Sequence, residues 1–429
     1  MFCKQAKDEM DRILLAYSGG LVNSVAIHWL RYRRNMKVFT FTANLGQNED
    51  VEELGEKALE LGAESVYMFD LRNIFVTDYV FEALKANAVY EDAYYLSAAL
   101  SRPLIASEMI NIAKEEGIKN VGHGCTVKGN DQFRFEATFS GLAPELTIIA
   151  PRREWSFQHL NEVISYAKRH HIHLSEDELK FDYSKDQNIW GTRITGIPLE
   201  DPSTPTPEEA FQWTVSPENA PDKAEEFSIE FISGVPVGIN FEKKHPVTLI
   251  EELNAIGAKH AMGRVSHVEN RFIGAKIREV YEAPAAEILH SAKKALEKIT
   301  LDRATQHFLP IISAKFAQIV YNGFWHSKLR EAISAFFDSA QEKVTGKIDV
   351  KLFKGNVTIQ GCKSPYSLYS KDTATIAQAG AIDTDAVSGW LRMITQAQRS
   401  AAKINLSSKS ARIRKIRLDE VDSQDAEKD

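Results

Sequence analysis

The stretch that most constrains the fold is residues 13–30, ILLAYSGGLVNSVAIHWL. Residues 13–16 form a short apolar run, which predicts a strand buried on both faces. Ser18-Gly19-Gly20 follows at once, and glycine lets the backbone turn sharply and approach a ligand closely. Apolar residues then recur at helical spacing. A glycine turn that opens a helix presents free N–H groups and the positive end of the helix dipole, so this stretch predicts a phosphate-binding loop.

The loop lacks the Gly-Lys-Ser/Thr ending of a Walker A motif. It resembles instead the pyrophosphate loop of ATP-dependent adenylating enzymes, whose pattern is Ser-Gly-Gly-x-Asp-Ser or a close variant. Most lone Ser-Gly-Gly triplets are ordinary turns. The prediction therefore depends on the strand before the triplet and the helix after it.

A second glycine-rich stretch, HGCTVKGNDQFRFE, covers residues 123–136 and follows a short apolar step. It has little to bury and many polar groups to offer. A solvated loop would explain it. A loop after a parallel strand beside the first phosphate loop would explain it too, since ligands of open α/β sheets bind at that edge.

Apolar runs at residues 37–41, 65–69, 118–121 and 146–150 alternate with helical segments. This alternation predicts a parallel sheet covered by helices on both faces. After about residue 180 the pattern changes to hairpins and long helices, which predicts an α+β region. Residues 265–277 are predicted to be one strand.

Composition excludes several classes of protein. The 429 residues carry a formal charge of −7, which argues against a general nucleic-acid partner. No apolar run reaches the roughly 18 residues of a membrane span. The three cysteines lie far apart, which favours a cytoplasmic location over a disulfide framework or zinc site. The histidines in residues 169–173 are interpreted as a solvated helix end, and no metal ligand is assigned.

Six motifs together resemble one family, the argininosuccinate synthases. They are AYSGGLVNS, TANLGQ, HGCTVKGNDQFRFE, VENRFIG, VYEAP and SPYSLY, and they fall in the family's order and spacing between about residues 13 and 391. The resemblance implies an ATP-dependent C–N ligase of arginine biosynthesis and the urea cycle. The ureido oxygen of citrulline attacks the α-phosphate of ATP and expels pyrophosphate, usually with Mg²⁺. The amine of aspartate then displaces AMP to give argininosuccinate.

The resemblance also implies a fold and an assembly. The expected fold is α/β: a parallel-sheet pyrophosphate-loop nucleotide-binding domain, like that of the adenine nucleotide alpha hydrolases, with a second α+β synthetase domain and a C-terminal helix. A homotetramer joined partly through C-terminal helices is expected. The predicted divisions are an extension at 1–12, the ATP domain at 13–180, a synthetase and multimerisation domain at 181–380, an oligomerisation helix at 381–406 and a polar tail at 407–429.

Site residues follow from the resemblance, position by position, and they leave catalytic groups unassigned. The ATP contacts would be Ala16, Tyr17, Ser18, Gly19, Gly20, Ser24, Ala43 and Gly124. Aspartate would be held by Thr126, Asn130 and Asp131. Citrulline would be held by Tyr94, Asn130, Arg134, Ser184, Glu269 and Tyr281. These types suit the chemistry, since an arginine grips a carboxylate through two N–H groups and a glutamate pairs with an amine.

The chain departs from the family in its phosphate loops. Val22 and Asn23 replace the Asp and Thr of the family's Ser-Gly-Gly-Leu-Asp-Thr-Ser, so the loop loses a carboxylate that could help order Mg²⁺ or water. Val127 replaces a glycine. A β-branched residue there adds bulk and would be strained at positive φ.

Further departures fall in the predicted citrulline pocket. Ala98 and Ala99 stand where a Ser or Thr is usual, and Ile277 replaces a Ser. Arg193 stands where a second citrulline-binding Ser is expected, with Thr192 beside it. A cationic Arg193 could pair with a carboxylate that citrulline lacks.

These departures leave alternatives open. One is a ligase of the same fold with a different ureido or amide substrate. Another is a non-catalytic regulatory paralogue, in which the changes at Val22 and Val127 abolish adenylation. A sulfur-transferring tRNA modifier is disfavoured by the charge of −7 and the absence of paired cysteines.

Overall fold

The computed structural model of the chain describes residues 10–127, 129–157, 159–174, 183–375 and 382–405. Most of the predicted N-terminal extension, the domain boundary at residues 180 and 181, and the tail predicted at 407–429 lie outside the described residues. By compactness the chain divides into two units, Met1–Leu368 and Tyr369–Asp429. The first unit therefore contains both the nucleotide-binding region and most of the α+β region.

The first part of the chain builds the predicted parallel sheet. Its strands are β1 (Arg12–Ala16), β2 (Lys37–Asn44), β3 (Ser65–Asp70), β4 (Asn120–His123) and β5 (Thr147–Ile149). All neighbours pair in parallel, in the order β3-β2-β1-β4-β5. The order reverses at β1, so the loops after β1 and β4 run to opposite sides of the sheet and leave a crevice between them. Ligands of open α/β sheets bind at such a point.

Helices cover both faces of this sheet. They are α1 (Leu21–Arg33), α2 (Val51–Glu60), α3 (Arg72–Ile74), α4 (Phe81–Lys85), α5 (Ser97–Glu115), α6 (Asp131–Leu142), α7 (Pro151–Glu154) and α8 (Leu160–Arg169), with a π-helical segment, Phe75–Val80, before α4. In β1, Leu14 packs into the hydrophobic cluster on one face, while Ile13 and Leu15 pack into the cluster on the other. All three side chains are fully buried, as the apolar run predicts.

In the part of the chain that the structure describes, nine further strands form two antiparallel sheets. They are β6 (Tyr183–Asn188), β7 (Gly191–Gly196), β8 (Glu225–Ile232), β9 (Val235–Ile239), β10 (Glu242–Lys243), β11 (Arg264–Asn270), β12 (Lys276–Glu282), β13 (Gly346–Phe353) and β14 (Asn356–Lys363). The strand orders are β11-β12-β7-β6 and β10-β9-β8-β13-β14. The prediction of one strand over 265–277 is wrong. The chain reverses after β11, because Gly274 takes a φ of +87° and its N–H donates to the carbonyl of Arg271.

Four long helices complete the first unit: α9 (Pro246–Lys259), α10 (Pro284–Thr300), α11 (Arg303–Tyr321) and α12 (Lys328–Gln341). One hydrophobic cluster runs from Leu14 in β1 through Leu289 in α10 to Leu352 in β13. This shared core joins the parallel sheet to the second half of the unit. The fold is therefore α/β, with a parallel-sheet nucleotide-binding region and an α+β region, as expected.

The second unit holds the helices α13 (Lys371–Ala374), α14 (Thr384–Ile394) and α15 (Gln396–Asn405). Several large apolar side chains of α14 are exposed, among them Trp390 and Leu391. Across the parts of the chain that the structure describes, no helix combines the length and the apolar character needed to span a bilayer.

Candidate active site

The phosphate loop, residues 17–24, turns at the end of β1 as its glycines predict. Gly19 takes a φ of +75°, and Gly20 caps the N-terminus of α1 in an extended conformation. The carbonyl of Gly19 accepts hydrogen bonds from Lys57 Nζ at 2.9 Å and Ser24 Oγ at 3.1 Å. The first amides of α1 have no acceptor within the helix, so they are suited to bind an anion.

The substituted residues of this loop contact protein rather than open space. Asn23 Nδ2 donates to Ser18 Oγ at 2.9 Å, and Val22 packs against the hydrophobic cluster beneath α1. A Cβ at Gly124 would lie 1.8 Å from Asn23 Oδ1. A larger residue at Gly124 would have to displace the Asn23 side chain, so the second loop lies directly against the first.

The strain expected at Val127 is absent. The non-glycine residues with positive φ in the described part of the chain do not include Val127, so its β-branched side chain sits on an ordinary backbone. The side chain is half exposed, and the carbonyl of Val127 accepts a hydrogen bond from Gln132 Nε2 at 2.5 Å. Residue 128, which follows it, lies outside the described residues.

The residues predicted to bind ATP gather at one edge of the parallel sheet. Ala16 ends β1, Ala43 is next to last in β2 and Gly124 directly follows β4. Ser24 and Tyr17 are buried, and the hydroxyl of Ser24 is turned back onto the loop's own carbonyl. Ser18 and Gly20 are exposed at the loop, whereas Gly19 is buried beside Leu54.

A largely buried group of charged and aromatic side chains lies where α5 and α6 meet the β11-β12-β7-β6 sheet. We refer to it as the ion-pair pocket. Its members are Tyr94, Arg102, Asp131, Arg134, Asp186, Arg193, Glu269, Arg271, Glu279, Tyr281 and Tyr321. The four arginines and four carboxylates come from α5, α6, β6, β7, β12 and the end of β11, so no local motif contains the pocket.

Asp131 is held by three arginines. Its Oδ1 accepts from Arg134 Nη1 at 2.7 Å, and its Oδ2 lies 3.3 Å from Arg102 Nη2 and 3.2 Å from Arg193 Nη2. Burial acts to raise the pKa of Asp131, but the guanidinium groups of Arg102, Arg193 and Arg134 outweigh it and lower that pKa. Asp131 is therefore a fixed anion.

Arg193 is not a free cation. Its Nη2 pairs at 3.2 Å with both Asp131 and Asp186, and its Nε lies 3.9 Å from Glu279. Arg102 also pairs with Asp131 and Asp186. The hypothesis that Arg193 pairs with a substrate carboxylate assumed an unpaired guanidinium. In the structure this guanidinium is already paired with carboxylates of the protein.

Two buried glutamates share one tyrosine hydroxyl. Tyr281 Oη lies 2.5 Å from Glu269 Oε2 and 2.7 Å from Glu279 Oε2. A hydroxyl has one proton and can donate to only one of these oxygens. The other close contact requires a proton on a carboxyl group. Burial and the charge of Glu279 raise the pKa of Glu269, which is consistent with such a proton.

Aromatic stacking fixes the wall of the pocket. Tyr94 stacks on Tyr281 with ring centroids 4.4 Å apart, and Tyr90 stacks on Tyr321 at 3.6 Å. The hydroxyl of Tyr94 accepts from the backbone N–H of Ala98 at 2.8 Å. Ala98 has no side-chain hydroxyl, and it holds Tyr94 through its backbone N–H instead.

The predicted citrulline and aspartate residues are only partly brought together. Asn130, Arg134, Glu269 and Tyr281 are buried within or beside the ion-pair pocket, and Asn130 Oδ1 accepts from the N–H of Phe272 at 3.1 Å. Thr126 and Ser184 are exposed, Ser184 on β6 two residues before Asp186 and so on the same face of its sheet.

Sequence reasoning missed Arg102, Asp186, Glu279 and Tyr321. Tyr321 ends α11, donates to Glu269 Oε1 at 2.7 Å and accepts from Arg134 Nε at its carbonyl at 3.0 Å. Nothing in the surrounding sequence distinguishes it from a core tyrosine. Asp186 lies in a run of polar residues along β6, YSKDQN, so no alternation singles it out.

Two family models cover nearly the whole described chain. Residues 12–173 match the arginosuccinate synthase N-terminal HUP domain, and residues 183–401 match the arginosuccinate synthase C-terminal domain. The chain belongs to the argininosuccinate synthase family. An argininosuccinate synthase of Chlorobium luteolum is 46% identical over 385 residues, which are 90% of this chain and 96% of that protein. One of Symbiobacterium thermophilum is 48% identical over 381 residues, 89% of this chain and 94% of that protein.

These matches confirm the resemblance and the ATP-dependent C–N ligase class that goes with the family. The alternatives of a different carbonyl substrate and of a non-catalytic paralogue are not favoured by them. The departures at Val22, Asn23, Val127 and Arg193 are thus variations within the family, which the fold accommodates through the contacts described above.

The phosphate loop offers no carboxylate for Mg²⁺. Within the described residues there is no group of three or more His, Cys, Asp or Glu side chains that could hold a metal ion. Asn23 Oδ1 is a buried oxygen without a donor, but it is neutral and lies against Gly124.

Proposed function

We propose that this chain joins citrulline to aspartate at the expense of ATP, in the manner of argininosuccinate synthase. The observation that carries the proposal is a single segment, Gly124 to Arg134. It begins against the phosphate loop at Asn23 and ends in the ion-pair pocket with Asn130, Asp131 and Arg134. A nucleotide at the loop and an amino-acid substrate in the pocket would therefore be neighbours.

In the first step, the ureido oxygen of citrulline attacks the α-phosphorus of ATP, and pyrophosphate leaves with the electron pair of the broken P–O bond. The backbone N–H groups of Ser18, Gly19 and Gly20 and of the first turn of α1 would bind the phosphates and stabilise the leaving charge. Ala16, Tyr17, Ser24, Ala43 and Gly124 would complete this ATP site.

In the second step, the amine of aspartate attacks the ureido carbon. AMP leaves with the electron pair of the C–O bond, and the attacking nitrogen loses a proton to give argininosuccinate. Thr126, Asn130 and Asp131 would hold aspartate, while Tyr94, Asn130, Arg134, Ser184, Glu269 and Tyr281 would hold citrulline. The pocket's contribution is position, since reacting groups held in register gain several kcal/mol, on the order of 7 to 11 in the best intramolecular cases.

Other parts of the proposal concern the surroundings of the reaction. Mg²⁺ would enter bound to the phosphates of ATP, because the loop supplies no charged ligand of its own. The chain would act in the cytoplasm, in arginine biosynthesis, without a nucleic-acid or membrane partner. The exposed apolar side chains of α14, such as Trp390, support its use as an oligomerisation helix in a homotetramer. The predicted division into domains at residues 12, 180, 380 and 406 stays part of the proposal.

The test is pyrophosphate release from ATP with Mg²⁺, citrulline and aspartate. We expect release by the native chain that requires citrulline. Val22→Asp and Val127→Gly are measured alongside, because each returns a loop residue to the family pattern. Arg264→Ser serves as a control, since Arg264 pairs with Glu208 on the other face of β11.

A native chain that releases no pyrophosphate while the double variant is active would overturn the proposal and locate the lesion in the phosphate loop. Citrulline-independent release, or release only with another ureido or amide compound, would overturn the substrate assignment alone.

A further inference from the structure

Arg193 lies at the centre of the ion-pair pocket, in a row of side chains that runs across the sheet. The register pairs Arg193 in β7 with Tyr281 in β12 on one side and with Asp186 in β6 on the other. Directly paired residues of antiparallel strands point to the same face of a sheet. The guanidinium therefore reaches the face on which Tyr281 and Glu279 stand, opposite Asp131 on α6.

Three carboxylates surround this guanidinium. Nη2 of Arg193 is 3.2 Å from Asp131 Oδ2 and 3.2 Å from Asp186 Oδ2, and Nε is 3.9 Å from Glu279 Oε2. Side-chain exposure is 17% for Arg193 and 14%, 22% and 0% for the three acids. The chain itself thus demonstrates that this space accepts a planar guanidinium group.

The walls of the pocket are formed by buried side chains. Tyr94, Arg134, Glu269 and Tyr281 are all at most 3% exposed. Tyr94 is anchored by two backbone N–H groups, and Arg134 donates to the carbonyl of Tyr321. The guanidinium of Arg193, by contrast, is paired with carboxylates of other elements, and its long stem can rotate away from them.

The chemistry of the reaction matches this occupant. A ureido group and a guanidinium are planar groups of nearly the same size and shape, which differ by an oxygen in place of a charged nitrogen. The proposed reaction converts the ureido group of citrulline into the guanidinium of argininosuccinate. A subsite of three carboxylates favours the cationic member of this pair.

We propose that the guanidinium of Arg193 occupies the subsite that receives the ureido group of the substrate and the guanidinium group of the product, so that ligands bind by displacing it. Arg193 is then a specificity-determining residue, which weakens binding of both ligands and most of all of the guanidinium compound. This inference rests on the proposed function for the identity of its ligands.

The test is calorimetric titration of the full chain with L-arginine and with L-citrulline, without ATP. These two compounds share their amino-acid end and differ only in the terminal group. We expect Arg193→Ser to lower the Kd of arginine at least tenfold, because three carboxylates lose their internal partner. The Kd of citrulline should fall by a smaller factor, because a neutral group compensates those charges less.

Two further variants make the test decisive. Arg193→Gln keeps most of the stem and fills the space without the charge, so it should show the same order of effects if Arg193→Ser is poorly folded. Arg264→Ser removes an arginine from the same sheet on its other face and should bind both ligands as the native chain does. Adding methylguanidinium to Arg193→Ser should restore the weaker, native affinity for arginine.

Unchanged or weaker binding of arginine by both variants would overturn the inference, as would equal changes for the two ligands. Pyrophosphate release by the native chain separates this result from the proposed function. If the native chain releases pyrophosphate with citrulline but Arg193→Ser does not bind arginine more tightly, only the inference about Arg193 is overturned. If Arg193→Ser binds arginine more tightly but the native chain releases no pyrophosphate, only the proposed function is overturned.

Discussion

The phosphate loop and the ion-pair pocket are built in opposite ways. The loop is contiguous, partly exposed, and made of backbone groups and small residues around Gly19 and Gly20. The pocket collects buried side chains from residues 94 to 321 and depends on matched charges. In the loop, Val22 and Asn23 differ from the family's residues at these positions, but the turn at Gly19 and the start of α1 are kept.

This difference suggests which changes each region tolerates. A phosphate bound through N–H groups is indifferent to many side-chain changes beside it, as long as glycine remains where the backbone requires it. A buried charge network is less tolerant, because removing one partner leaves the others uncompensated.

Asp131→Asn should be the most damaging change, since it leaves Arg102, Arg134 and Arg193 short of a carboxylate. We expect the free energy of unfolding to fall by about 3 to 5 kcal/mol, measured by denaturant titration. Pyrophosphate release should drop by about a hundredfold through misplacement of the substrates. Asp70→Asn, at a largely exposed ion pair with Arg72, should cost at most about 1 kcal/mol. Equal losses of unfolding free energy in Asp131→Asn and Asp70→Asn would show that the buried charge network is no less tolerant than an exposed ion pair.

Tyr321→Phe removes a buried hydroxyl that donates to Glu269 at 2.7 Å. The unpaired carboxylate oxygen should lower the free energy of unfolding by about 1 to 3 kcal/mol and raise the KM of citrulline, with that of ATP unchanged. Tyr32→Phe, whose ring is largely exposed, is the matched control and should have no effect. A shift in the KM of ATP instead would place Tyr321 outside the pocket's function.

Gly20→Ala tests whether the loop binds phosphate through its backbone. A Cβ at Gly20 meets no protein atom within 4 Å, so the free energy of unfolding should change by less than about 0.5 kcal/mol. Binding of ATP should weaken by about tenfold in a direct titration, because the added methyl group would hold a phosphate away from the backbone N–H groups and weaken charge-assisted hydrogen bonds to it. Gly141→Ala, in α6 with equally open surroundings, should leave ATP binding intact. An unchanged ATP affinity in Gly20→Ala would show that this face of the loop does not bind the phosphates.

Glu269→Gln should have the smallest effect, on the pH dependence of stability. Burial, followed by the charge of Glu279, raises the pKa of Glu269 above its unfolded value of 4.5. The native chain thus keeps this proton to a higher pH than the unfolded chain does. The resulting stability is complete below the unfolded value and is lost as the pH rises through the raised pKa. The variant should therefore lose less stability than the native chain as the pH rises above 4.5. A steeper loss would contradict a shared proton.

Much of the first half of the fold was predictable, because its signals are local. The strand at residues 12–16, the glycine turn and α1 follow from periodicity and from glycine's access to positive φ at Gly19. The hairpin of β11 and β12 was missed, because both strands are polar enough to blur their ends and the turn at Gly274 lacks a strong signature.

The sequence by itself determined the family, the parallel sheet and the phosphate loop, since each rests on contiguous residues or on long motifs in a fixed order. The environment of Arg193 was decided only by the tertiary structure. Its partners Asp131, Asp186 and Glu279 lie on three different elements, and whether its charge is free or paired depends on where those elements meet. Electrostatic interaction depends on distance in space, which the order of residues along the chain does not specify.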